Sequence, residues 1–164
     1  MLRYLLKKLG ELLLPERSSG DGARSMEPVD VFLLVYQQIS RLAQQIETHA
    51  ELAPYPQVAE QLRRLAAEKR DINNRLKEII ENLHGSIREQ SQPLAIGKNH
   101  WQRLIRDLED QEALDDLLSR YEFTLIRQTS GVGEFLQDLK RIHDRHRKSL
   151  VQLIAVADPQ ANQS

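Results

Sequence analysis

His143 and His146 stand three residues apart in the run RIHDRHRK, a spacing that puts both imidazoles on one face of a helix. Two histidines so placed can chelate a single metal ion, and iron, manganese and zinc all accept imidazole nitrogen. Asp115 and Glu122 flank the inner face of the preceding helical stretch and are the carboxylates able to complete a mononuclear site. The same pair also suits a plainer task, as polar core residues hydrogen-bonded to Tyr121 or to a carboxylate. Lys69 joins this set because it falls in phase with an apolar stripe. Burial there would depress its pKa towards that of a general base, whereas snorkelling past the helix edge or pairing with a carboxylate would leave it an ordinary cation.

A helix from about Gly131 to Ala157 must position the two histidines. Val132, Leu136, Leu139, His143, His146, Leu150, Leu153 and Ala157 alternate at four- and three-residue intervals, the stripe of a helix packed on other helices. The stripe recurs without a gap 74 residues earlier as Val58, Leu62, Leu65, Lys69, Ile72, Leu76, Ile79 and Leu83, with Lys69 matching His143. Phe32, Val35, Ile39, Leu42 and Ile46 mark a helix from about Pro28 to Ala50. Trp101, Leu104, Leu108, Leu114, Leu118, Tyr121 and Leu125 mark another, opened by Asn99 with Gln102 as its capping pair. Gly85 is placed to stop the second helix, with His84 before it as a surface residue complementing the helix dipole. Ile39-Ser40-Arg41-Leu42 also reads against Leu118-Ser119-Arg120-Tyr121, so the repeat covers both hairpins. Residues 28–157 are therefore expected to form an all-α four-helix bundle of two tandem hairpins. Roughly a dozen residues join the hairpins and reach about 40 Å when extended, enough for one long crossover.

Composition narrows the classes. Aromatics make up only 5% of the 164 residues and charged residues 29%, which suits a helical bundle and argues against a β sandwich. The net charge of −1 supplies no field to draw nucleic acid, and Arg141, Arg145, Arg147 and Lys148 read as a solvated outer strip. Without cysteine there is no disulfide, thiolate nucleophile or Cys-bound zinc, which fits a cytoplasmic setting.

The first fourteen residues carry Leu2, Leu5, Leu6, Leu9, Leu12 and Leu13 on one face, with Arg3, Lys7, Lys8 and Glu11 off it. This predicts a short amphipathic helix at 1–14, followed by a Ser-, Gly- and charge-rich linker at 15–27. A polar tail is expected at 158–164. The leucine face has three possible beds: the bundle itself, an anionic membrane surface that Lys7 and Lys8 would favour, or a protein partner's groove. The last is the layout of the helices that tether cargo to bacterial protein shells. Either external bed would put the protein at the periphery of the inner membrane or on a shell.

Hairpin duplication, long connection and seat pattern over about residues 28–157 resemble the ferritin-like superfamily, nearest to rubrerythrin-type proteins. The resemblance implies a di-iron or di-manganese site made by a Glu from the first helix of each hairpin and Glu-x-x-His from the second. Carried through the repeat, its six seats fall on Val35, Lys69, Ile72, Leu114, His143 and His146. Only His146 has the family's ligand type, with His143 a substitute for a Glu, so the carboxylates that hold two hard cations are missing. A one-residue shift brings in Glu68 and Asp71 but breaks the eight-seat match. The expectation is a non-catalytic, ferritin-like adaptor or assembly subunit that docks through residues 1–14, needs no cofactor and forms a homo-oligomer by analogy. The competing expectation is a reduced site at His143 and His146, holding one iron, manganese or zinc ion for redox or metal handling.

Overall fold

The structure is a computed structural model, and it describes residues 26–88 and 91–157. Residues 1–14, with Leu2, Leu5, Leu6, Lys7, Lys8, Leu9, Leu12 and Leu13, lie outside the described residues, as do most of the linker and the tail. The described residues form four helices, α1 (Pro28–Glu51), α2 (Pro56–Asn82), α3 (His100–Gln128) and α4 (Val132–Val156), and no strand. None of these helices is long and apolar enough to cross a membrane.

Sequence punctuation sets the ends. Pro28 and Pro56 each occupy a first helical turn, where the missing N–H costs nothing. Asn99 caps α3 by accepting from Gln102 N at 2.8 Å, while the Gln102 side chain reaches back one residue further, to Lys98 N at 3.1 Å. Gly131 precedes α4 in the left-handed region, at φ 76°.

The end of α2 departs from expectation. His84, not Gly85, takes the left-handed conformation, at φ 59°. The amides of His84 and Gly85 then bond to the Glu81 and Ile80 carbonyls at 3.0 and 2.8 Å, closing the last turn. Gly85 is needed for space instead: a Cβ there would lie 2.6 Å from both Ile80 Cγ2 and Val29 Cγ2. The close approach ties the end of α2 to the start of α1.

Cross-helix pairs give the directions. Arg41 meets Asp110, Gln45 meets Asp107, and Arg103 reaches the Leu52 carbonyl, so α1 and α3 run antiparallel. Glu68 meets Arg145 and Arg75 meets Asp138, so α2 and α4 do too. Each hairpin is also antiparallel, as Ser40 with Asn73 and Glu122 with Lys140 show, so α2 and α3 point the same way. The core comes from all four helices, with Phe32, Ile39, Leu62, Leu76, Leu104 and Leu139 at its centre. Packing is closest between α1 and α2 and far thinner between α2 and α4.

Candidate functional site

The α4 stripe delivers His143 and His146 to the interior at 1% and 0% exposure, and the matching α2 stripe delivers Lys69, also at 0%. His146 Nε2 lies 2.8 Å from Glu68 Oε2, and its Nδ1 lies 3.3 Å from Lys69 Nζ. Lys69 Nζ donates to Gln111 Oε1, and Gln111 Nε2 donates to Asp115 Oδ1 at 3.0 Å. Asp115 Oδ1 in turn lies 2.8 Å from His143 Nδ1. One network thus joins α2, α3 and α4 through Glu68, His146, Lys69, Gln111, Asp115 and His143. An acceptor carboxylate at Glu68 places the His146 proton on Nε2 and leaves the Nδ1 lone pair facing the lysine.

Burial dominates the electrostatics. It pushes Lys69 down to about 8, opposed by Asp115, Asp107 and Glu68. Burial and the neighbouring Lys69 cation push His146 down to about 3, against the pull of Glu68. His143 is lowered by burial despite its hydrogen bond to Asp115. Burial alone would raise Glu68, but Arg145 at 2.6 Å and His146 hold it below the usual carboxylate range.

A second polar layer lies one helical turn along α3 from Gln111. Asp107 is 0% exposed, and both its oxygens lie 2.9 Å from His49 Nδ1. Gln45 Nε2 donates to Asp107 Oδ1 at 2.9 Å and to Asp110 Oδ2 at 3.0 Å. Gln45 Oε1 accepts from Arg41 at 3.3 Å and from the backbone N–H of Ala95 at 2.9 Å. Every hydrogen-bonding position of that amide is filled, and through Ala95 it pins the long connection to the α1/α3 seam. Arg41 also binds Asp110 at 2.8 Å. Burial raises Asp107, while His49 and Gln45 pull it back.

Sequence reasoning did not single out this layer, nor Gln111. The available signal was phase: His100, Leu104, Asp107, Gln111, Leu114 and Leu118 keep the four-three spacing. Glu68, one residue from the Lys69 stripe position, joins the network from the flank of α2. Of the partners foreseen for the histidines, a carboxylate is found for each, and Tyr121 for neither. Asp115 is therefore at the site, whereas Glu122 is paired with Lys140 at 2.6 Å. Val35, Ile72 and Leu114 are buried members of the apolar core.

The rings of His143 and His146 have centroids 6.2 Å apart and are tilted by 32°. Their nitrogens face different helices, and His143 Nε2 is buried without a hydrogen-bond partner. Among the described residues, no three His, Cys, Asp or Glu side chains are grouped as a metal ion would need. A recess between α3 and α4, lined by Leu118, Glu122, Leu136, Leu139 and Lys140, is too narrow to hold a water molecule. On the outer face of α4 the basic strip is neutralised: Arg141 pairs with Asp138, Arg145 with Glu68, and Arg147 and Lys148 with Asp144. Comparison with protein-family models, with curated proteins and with solved structures finds no match to this chain.

Proposed function

We propose that this chain is a ferritin-like bundle whose metal position has been taken over by an internal lysine. It works without catalysis as a tethered adaptor or assembly subunit, docking through the leucine face of residues 1–14. The observation that carries the reading is Lys69 itself. It occupies the seat where the resemblance puts a ligand carboxylate, fully buried, with its ammonium held between Gln111 and His146. A cation already sits where cations would bind, and the surrounding carboxylates are spent on protein donors. The shared direction of α2 and α3, with a connection spanning the bundle, supports the ferritin-like wiring. With the basic strip on α4 paired, the leucine pattern of residues 1–14 is the docking element of this reading, at a membrane periphery or on a protein shell.

Two experiments test this. Protein purified from iron- or manganese-supplemented cells will hold far less than a pair of ions per chain, and metal analysis showing a tightly bound pair overturns the proposal. Deleting residues 1–25, while keeping the core-packed Met26, will leave the thermal midpoint within a few degrees and abolish binding to anionic vesicles or to a captured partner. A collapse of the midpoint would make the segment a piece of the core. Salt separates the two docked states: lipid binding weakens as salt screens Lys7 and Lys8, whereas groove docking follows the leucines.

A further inference from the structure

We propose that Lys69 and Gln111 are the two halves of an intramolecular isopeptide bond, made by the folded chain itself, that staples α2 to α3. The bond would turn the Lys69 ammonium into a neutral amide, so exclusion of metal would then rest on the filled position and not on its charge; the inference itself rests on four neighbours. Lys69 Nζ lies against the side-chain carbonyl of Gln111, and both residues are 0% exposed. His146 Nδ1 lies 3.3 Å from Nζ with its lone pair towards it, and Glu68 holds the far side of that ring at 2.8 Å. This is a nucleophile, a base and a carboxylate that orients the base, the arrangement by which enzymes activate an amine or hydroxyl. The fourth neighbour is Asp115, which holds Gln111 Nε2 at 3.0 Å, the side from which the leaving group must depart.

The chemistry balances without any added reagent. Neutral Lys69 attacks Gln111 Cδ, the Nζ–Cδ bond forms, and His146 Nδ1, which loses the opposing Lys69 charge once the amine is neutral, relays the proton that Nζ sheds. Collapse of the tetrahedral intermediate breaks the Cδ–Nε2 bond as the relayed proton arrives on the departing nitrogen, so no imidazolium persists in the buried site. One ammonia leaves, past an Asp115 side chain that is 31% exposed. The depressed lysine supplies a neutral amine for roughly a tenth of the time at pH 7. Fixing amine and amide side by side supplies the proximity that a free lysine and glutamine lack. Burial of Lys69 and Gln111 at 0% exposure limits the water that could compete for the acyl group.

The test is the intact mass of the full-length protein, fresh and after long incubation near pH 9, followed by digestion and tandem mass spectrometry. The expected result is a chain lighter by one ammonia and a cross-linked peptide pair containing Lys69 and Gln111. Lys69→Arg and Gln111→Met will show only their unmodified masses. Glu68→Leu, with its helical circular dichroism unchanged, will form the bond about tenfold or more slowly, because His146 loses its orienting acceptor. An unmodified mass for the parent protein after alkaline incubation overturns the proposal. So does Gln111 converted to glutamate, since water would then have reached the acyl group first. Both outcomes are read on the parent chain, whether or not the variants fold.

Discussion

Asp107→Ala will lower the unfolding free energy by about 3–5 kcal/mol, read as a shifted urea midpoint at constant slope. The carboxylate lies at 0% exposure and accepts from His49 and Gln45, which are themselves 0% exposed. Removing it strands two donors in a dry layer, and each stranded group costs its full desolvation. The raised pKa of Asp107 shows that ionising it there is unfavourable. Breaking the pair therefore costs more than making it contributes. His49→Leu with Asp107→Leu should accordingly cost less than Asp107→Ala alone. Asp115→Ala should cost less than half as much, because its carboxyl is 31% exposed and water can replace it. A loss under about 1 kcal/mol for Asp107→Ala would mean that the layer admits solvent.

The second large effect is acid sensitivity from His146. Its folded pKa of about 3 lies below the ordinary histidine value near 6.5, so the unfolded chain binds the proton more readily. Stability from this group is present above pH 6.5 and is lost as pH falls from there towards 3. Between pH 7 and 5 the loss from His146 alone is about 2 kcal/mol, and His143, lowered in the same direction, adds to it. Unfolding free energies at pH 7, 6 and 5 should fall steeply in the parent and more shallowly in the His143→Leu, His146→Leu variant. Identical slopes would show both rings to be hydrated or already charged. Carboxylates such as Glu68 also lose native pairing in acid, so the difference between the two slopes is the quantity to read.

How much was visible beforehand depended on what signals each feature uses. Helix ends were legible where Pro28, Pro56 and Asn99 impose local geometry. The stripes of α2 and α4 were legible because leucine and isoleucine fill most seats. The polar seats Lys69, His143 and His146 stood out only against that background. Asp107, Gln111, Gln45 and His49 did not, because Asp and Gln on a helix ordinarily read as surface. Their burial depends on partners about sixty residues away, such as Gln45 for Asp107. Glu68 was missed for another reason: it leaves its exposed flank by side-chain reach, which stripe counting ignores. Gly85 was recognised as special but for the wrong cause, since packing against Val29 is invisible without the fold.

The polar layers bear on a hazard that the repeat creates. Two hairpins with matching apolar seats can exchange places, or trade with those of a second molecule, at little cost in hydrophobic burial. Lys69 against His143, and Ile72 against His146, make the halves chemically unlike where they meet. An exchanged partner would bring an ammonium to an ammonium, or leave Asp107 facing a seam without His49 and Gln45. Such charge mismatches in a dry interior penalise the wrong assembly more than they strengthen the right one. The buried charges of this bundle thus break its pseudo-symmetry, so that a first hairpin accepts a second hairpin and rejects a copy of itself.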